Sequence, residues 1–477
     1  MVFASLLFLF AFLPLALALS YVTPRRARNF TLLVLSLTFY AWGEQRWVAV
    51  MLASIALNWL GALLVERARG SRKQRWLLGT IIALDLGALA GFKYASFAVE
   101  NLNVLLRSLH LGELSPVEPH LPLGISFFTF HAISYVVDVY RGQSRALKNP
   151  LDTALYIALF PQLIAGPIIR YHYIEEQLRA RTWTLSGFDF GVRRFSLGLA
   201  KKVLIANVVA RCADDVFRIP LDQLSFGLAW VGIMAYTLQI YFDFSGYSDM
   251  AIGLGSMFGF RFPENFDHPY SSRSVTEFWR RWHISLSAWF RDYLYIPLGG
   301  NRVSTRRTYL NLVVVFLLCG LWHGASWTFV SWGALHGALL VLERTRFGKL
   351  LEGAPSVLRH FYTLLAVCIA WVLFRAPDLA SAFGYLKAMA GASQFSNSAH
   401  PVASVLSPVV AIAGCVGVVA SAPLLRGMTR VQASGAFSAF PPSALRWLSF
   451  SVQILLLGLS TTQLAASTHN PFIYFRF

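Results

Sequence analysis

The chain has 477 residues, 56% hydrophobic and only 13% charged, with a mean hydropathy of +0.54. A soluble domain carries about a quarter charged residues, so this composition excludes an ordinary soluble enzyme and leaves a polytopic membrane protein embedded in a lipid bilayer. The net charge of +18 does not call for a nucleic-acid partner, because Lys and Arg collect in the cytoplasmic loops of membrane proteins.

The first apolar run, Phe3–Tyr21, is interrupted only by Pro14 and Ser20. It lacks a basic n-region and a small-x-small cleavage site, so it reads as a retained first helix. Arg25, Arg26 and Arg28 follow, which places the N-terminus outside. Phe30–Trp42 and Trp47–Val65 form a hairpin that returns to a basic stretch, Arg67 to Arg75. A helix from Trp76 leads out to the nearly neutral loop Glu100–His120, and Leu121–Val137 returns to Arg141, Arg145 and Lys148.

Leu151–Ile169 interrupts this alternation. Its Phe160-Pro161 and Ala165-Gly166-Pro167 predict a broken or re-entrant helix, tolerated only where protein or a cavity shields the backbone. Ser274–Arg302 is a second irregular, Arg-rich stretch. Further helices alternate about Arg344, Arg346, Lys349, Arg359, Arg426 and Arg430, which leaves Asn470–Phe477 outside. The expected fold is all-α, with about 11 spanning helices, give or take one, and at least two re-entrant elements. It forms a single transmembrane domain over 1–477, with core motifs in 121–343 and C-terminal helices and tail in 357–477. Cys212, Cys319, Cys368 and Cys415 are widely spaced, so neither a disulfide framework nor a metal site is expected.

Polar groups at membrane depth are costly and mark functional candidates. In Gln239–Asp249, helical spacing puts Tyr241, Ser245 and Asp249 on one face and Asp243 and Tyr247 on another. This pattern suits either a polar packing seam or substrate contact. Ser274 and Glu277 form a capping box that starts a helix, and Glu277 and Arg281 are spaced for an i,i+4 ion pair. Arg280, Arg281 and the tryptophans beside them suit an interfacial anchor, whereas His283 lies along the Trp279–Leu286 side, one turn from Ser287.

The third segment, Leu317–Trp327, contains Trp322 and His323. Its apolar arms, Tyr309–Trp322 and Trp327–Leu342, span roughly 21–24 Å as helices, short of a ~30 Å hydrocarbon core. The turn should therefore lie inside the membrane with His323 at its apex. Gly320 and Gly324 leave room there for a ligand or a close backbone. A neutral imidazole suits a general base that takes a proton from a hydroxyl. His336, on the second arm, reads as structural. A metal site from His283, His323 and His336 lacks a carboxylate or thiolate at ligand spacing, and no nucleotide or nucleophile-elbow motif is present.

Together these segments resemble the membrane-bound O-acyltransferase family, in particular its bacterial branch that acetylates polysaccharides such as alginate. The matching text is YFDFSGYSDMAIGLG at Tyr241–Gly255, RFPENFDHPY at Arg261–Tyr270, the run Thr276–Arg302 and LWHGASWTFVSWGALHG at Leu321–Gly337. The resemblance implies a catalytic His323, with His283 as the second site residue, in a ring of helices about a central funnel. It implies acetyl-CoA as the donor, with no tightly bound cofactor. The donor's phosphates would meet basic groups such as Arg280, Arg281, Arg291, Arg302, Arg306 and Arg307. It also implies a periplasmic partner of the SGNH-hydrolase type and an inner-membrane location. The tail at Asn470–Phe477 resembles the aromatic tails of acyl-export systems, which makes Tyr474 an acyl-relay candidate beside the plainer reading of an interface anchor. Acyl transfer to peptidoglycan, cellulose or, as D-alanine, to teichoic acid is an alternative. A transporter fits less well, because no inverted repeat is visible.

Overall fold

The structure, a computed structural model, describes residues 1–392, 401–423 and 442–466. Every regular element among them is helical. Among the described residues, four helical stretches are long and apolar enough to cross a bilayer: Arg28–Arg67, Arg72–Lys93, Ser356–Arg375 and Trp447–Ala466. Phe8–Val22, Trp327–Leu342 and Pro408–Ser421 are shorter apolar helices. The chain is a multi-pass membrane protein.

The described residues fall into two compact units. The first covers Met1–Val192 and Ala251–Pro263. It begins with α1 (Leu13–Val22), which continues directly from the π-helical turn Phe8–Phe12, so Pro14 sits just past that turn, where the regular backbone ladder is already interrupted. The expected hairpin follows as α2 (Arg28–Glu44) and α3 (Val48–Arg67), joined by the 3-10 turn Gln45–Trp47. Beyond α4 (Arg72–Lys93), much of the expected loop is helical, as α5 (Ala95–Ser108). The Asn103 side chain locks the segment after it by accepting from the Leu114 N–H at 2.8 Å and donating to its carbonyl at 2.9 Å.

Helix α6 (Ile125–Arg141) is buried on every side from Ile125 to Val139, so its polar residues must find partners within the protein. The expected break in Leu151–Ile169 is present: α7 (Pro150–Ala158) ends, Leu159 leaves helical geometry and α8 (Phe160–Leu163) restarts the chain for one turn. Such a break frees backbone groups that must be paired. A polar stripe on α6, at helical spacing His131, Ser134, Tyr135 and Asp138, supplies many of the partners. His131 Nε2 accepts from the Ile169 N–H at 3.2 Å, and Tyr156, held by Ser134, donates to the Ile169 carbonyl at 2.8 Å. Asp138 accepts from the His172 N–H, the first turn of α9 (Tyr171–Arg179).

The second unit covers Arg193–Met250 and the residues from Glu264 onward, and it contains every candidate site residue within the described residues. Its elements include the end of α10 (Leu185–Ala200), the π-helical turn Lys201–Ala206, α11 (Asn207–Arg218) and most of α12 (Phe226–Met257). Two short helices, α13 (Val275–Arg281) and α14 (Ile284–Phe290), precede the hairpin of α15 (Thr305–His323) and α16 (Trp327–Leu342). Then come α17 (Arg346–Gly353), α18 (Ser356–Arg375), α19 (Leu379–Met389), α20 (Val402–Val405), α21 (Pro408–Ser421) and α22 (Pro442–Ala466).

Candidate active site

The sequence predicts an α15–α16 hairpin with His323 at its apex, and this is what forms. His323 is the last residue of α15, separated from the start of α16 by three residues, although α15 is 19 residues long rather than the 14 expected. The two arms approach through glycine. A Cβ on Gly320 would overlap the Phe329 carbonyl oxygen, and one on Gly333 would overlap the Phe316 carbonyl oxygen. Gly324 lies hard against the Phe329 ring. The glycines beside His323 therefore serve close packing rather than open ligand space. The imidazole is buried in aromatic rings, edge-on to Trp322 at 4.9 Å, Trp332 at 5.0 Å and Phe374 at 5.2 Å.

The capping box at α13 also forms, with a shift of one residue in its second bond. Ser274 Oγ accepts from the Glu277 N–H at 3.0 Å, but Glu277 reaches back to the N–H of Arg273, not Ser274. Glu277 pairs with Arg281 at 2.8 Å as expected. A further clamp comes from Glu343, just past the end of α16. Its carboxylate accepts from the Val275 and Thr276 N–H groups and from Thr276 Oγ1 at 2.6–2.8 Å.

The expected continuous helix through His283 is not present. Trp282 is extended and His283 adopts a left-handed conformation (φ 44°, ψ 54°), with α14 starting at Ile284. For a residue with a side chain this geometry is unfavourable and needs external bonds to hold it. Asn265 provides them. Its carbonyl accepts from the Ile284 N–H at 2.9 Å, and its Oδ1 accepts from the Ser285 N–H at 3.1 Å and Ser285 Oγ at 2.9 Å. His283 itself is fully buried, edge-on to Phe244 at 4.6 Å, with Trp322 at 6.4 Å.

Phe244 thus marks the face of α12 turned towards His283. Asp243 and Asp249 are paired elsewhere. Lys202 meets Asp243 at 2.6 Å, both fully buried, while Lys201 and Arg194 each meet Asp249 at 2.7 Å. α10 and α12 cross at Gly198 and Gly246, where a Cβ on either would press on the carbonyl oxygen of the other. This is a charge-neutralised packing seam of small residues. Ser245 and Tyr247 are buried on the same helix.

His336, read from sequence as structural, is buried and accepts through Nδ1 from Trp279 Nε1–H at 3.2 Å. Its ring lies 4.8 Å from Trp332, the same indole that packs on His323. Near this aromatic cluster lies a cleft of about 390 Å³, lined inside by Trp279, Leu286, Phe316 and Cys319, with Arg280, Arg291 and Arg344 among its wall residues. Among the described residues no acidic residue lines it, although Arg291 pairs with Asp292 at 2.7 Å. Cys319 stands one helical turn before His323. Arg281 is neutralised by Glu277, whereas Arg280 and Arg302 are exposed. Tyr474 lies outside the described residues.

The family model for membrane-bound O-acyltransferases matches residues 95–380. The chain belongs to the membrane-bound O-acyltransferase family. This O-acyltransferase is 43% identical to the probable alginate O-acetylase of Azotobacter vinelandii over the full length of both chains. It is 34% identical to the peptidoglycan O-acetyltransferase of Helicobacter pylori over all of this chain and 98% of that one. The teichoic acid D-alanyltransferase of Bacillus subtilis is 27% identical over 62% of the chain and 79% of its own length.

Sequence reasoning missed four polar contacts in and around the candidate site: those of Asn265, the Lys202–Asp243 pair, the Glu343 clamp and the Trp279–His336 bond. Each acts across a gap of many residues, so no local spacing announces it. The one available signal was that Asn265 and His336 fall inside the family-like stretches.

Proposed function

We propose that this O-acyltransferase carries acetyl groups from cytoplasmic acetyl-CoA across the inner membrane for O-acetylation of an alginate-like exopolysaccharide, with a periplasmic SGNH-hydrolase-like partner placing them on the sugar. The observation that carries this reading is His323, buried at a hairpin apex one turn beyond Cys319 of an arginine-lined cleft. The full-length likeness to alginate O-acetylases supports the acetyl group and the polymer.

His323 acts as the base. A hydroxyl oxygen attacks the thioester carbonyl, forming a C–O bond and breaking the C–S bond, while the hydroxyl proton passes to the imidazole and then to the departing thiolate. The surrounding indoles and Phe374 exclude water, which would otherwise hydrolyse the thioester. The cleft suits the donor: apolar walls for the slim thioester arm, and Arg280, Arg291 and Arg344 for its phosphates. In this reading the broken segments at 151–169 and 274–302 are re-entrant elements of a ring of about 11 spanning helices, and both termini are periplasmic.

The acceptor hydroxyl at His323 is assigned to Tyr474, which would then hand the acetyl group outward. Mass spectrometry of the C-terminal peptide from cells lacking the partner tests this relay. An acetylated Tyr474 is expected, and an unmodified one refutes the relay. For the activity itself, His323→Ala should reach the membrane at normal levels and leave the polymer without O-acetyl groups. Wild-type acetylation in that variant overturns the catalytic role. A second reading, peptidoglycan as the polymer, is favoured by the full-length likeness to a peptidoglycan O-acetyltransferase. Comparing O-acetyl content of wall and exopolysaccharide in the same His323→Ala strain separates the two.

A further inference from the structure

Asn265, in the Arg261–Tyr270 stretch before α13, carries the hydrogen bonds that hold His283 and the residues after it. Its Oδ1 accepts from the Ser285 backbone N–H at 3.1 Å. A backbone N–H can only donate, so the accepting atom is the amide oxygen and not the nitrogen. His283 Nδ1 lies 3.2 Å from that same oxygen. An oxygen with no hydrogen can only accept, so Nδ1 must carry the proton. In the neutral imidazole, Nε2 is then a bare lone pair. Nε2 is buried and has no hydrogen-bond partner among the described residues. The opposite holds at His336: Trp279 Nε1–H donates to its Nδ1, so its proton sits on Nε2.

We propose that Asn265 is a positioning residue that fixes His283 as the Nδ1–H tautomer, so that His283 presents an acceptor and takes an N–H or O–H group of the substrate rather than stabilising an oxyanion. This rests on the reading of His283 as a site residue. An unpaired buried acceptor is costly, and a hydrogen-bond donor on a bound ligand removes that cost. Two donors in the proposed reaction fit: an amide N–H of the thioester's pantetheine arm, and the hydroxyl that receives the acetyl group. An imidazole in this tautomer cannot donate from Nε2, so it cannot be the group that meets a developing negative oxygen. The left-handed backbone of His283 belongs to the same device, since Asn265 also holds the two N–H groups that follow it.

The test uses full-length protein in lipid bilayers, labelled with ¹⁵N-histidine. The His283 resonances are assigned by their loss in His283→Gln. Wild type should show a neutral ring protonated at Nδ1. Asn265→Asp, which keeps the accepting oxygen, should preserve that form, and Asn265→Leu should shift it towards Nε2–H. In kinetics, Asn265→Leu should lose at least about tenfold in kcat/KM, with Asn265→Asp recovering part of it. A rise confined to the KM for acetyl-CoA assigns the ligand donor to the thioester arm, and a fall in kcat at saturating acetyl-CoA assigns it to the hydroxyl. An Nε2–H ring in wild type, or an unchanged tautomer and unchanged kinetics in a folded Asn265→Leu protein, overturns the proposal. If the tautomer moves as expected while His283→Gln retains full activity, the placement of His283 in the site fails instead.

Discussion

Gly320→Ala tests whether the hairpin packing sets the position of His323. The added methyl would overlap the Phe329 carbonyl oxygen and meet Phe329 C at 3.2 Å and Gly333 Cα at 3.3 Å. All three are backbone atoms, so no rotamer change relieves them. The arms must part by roughly half an ångström or more in a close-packed interior. Two effects then compete. Alanine gains about 0.8–1 kcal/mol of helix propensity over glycine. Overpacking costs about 1–3 kcal/mol, and the immovable contacts place this site towards the upper end. The net expectation is a loss of ~1–2 kcal/mol, read as a lower midpoint in detergent unfolding. His323 follows Gly320 by three residues, and misplacing a catalytic group by about 1 Å can cost around 10²-fold, so acetyl transfer should fall more steeply than stability does. Gly79→Ala, which meets nothing within 4 Å, is the control. A Gly320→Ala protein with unchanged unfolding and turnover would refute the claim that this contact holds the apex in place.

Three further outcomes follow from the same geometry. Removing one partner of the buried Lys202–Asp243 pair leaves an uncompensated charge and should cost about 3–5 kcal/mol, whereas Lys202→Met with Asp243→Leu should recover most of it. If the pair is only a packing seam, the double variant regains transfer activity; a folded but inactive double variant would place Asp243 in contact with substrate. Glu343→Gln keeps an acceptor for the first turn of α13 and should be milder than Glu343→Ala, which strands two backbone N–H groups at a cost of about 1–3 kcal/mol each, measured by thermal unfolding. Trp279→Phe leaves His336 Nδ1 without its donor and should lower the unfolding midpoint. It should also reduce kcat, because the Trp332 ring that packs on His323 also packs on His336, and raise the KM for acetyl-CoA, because Trp279 lines the cleft.

The features that sequence reasoning reached were those written in local periodicity. The hairpin turn at Trp322-His323-Gly324, the Ser274–Glu277 cap, the Glu277–Arg281 pair and the break at Phe160-Pro161 each depend on neighbours within a few residues, whereas the first arm of the hairpin is longer than expected. Their geometry follows from helix pitch and proline chemistry alone. Helix α5 was missed because the polar residues of the Glu100–His120 stretch resemble a loop until Asn103 is seen holding Leu114. The break at His283 was missed for a stronger reason. Nothing in Trp279–Ser287 forbids a continuous helix, and the competing bonds come from Asn265, 18 residues earlier.

The case of Asp243 and Asp249 shows where intramembrane polarity misleads. Both are costly groups in an apolar helix, which is the usual ground for suspecting function. Both have cationic partners at 2.6–2.7 Å. A carboxylate neutralised in this way has already met the demand that made it conspicuous. His283 differs in kind. One nitrogen is committed to Asn265, the other is buried without a hydrogen-bond partner among the described residues, and its left-handed backbone is held by bonds from the same asparagine. His131 and His336 are also fixed through one nitrogen, but each accepts there and leaves an unmet N–H among the described residues. Among these three buried histidines the discriminating observation is therefore not polarity but the unmet acceptor that Asn265 leaves on His283.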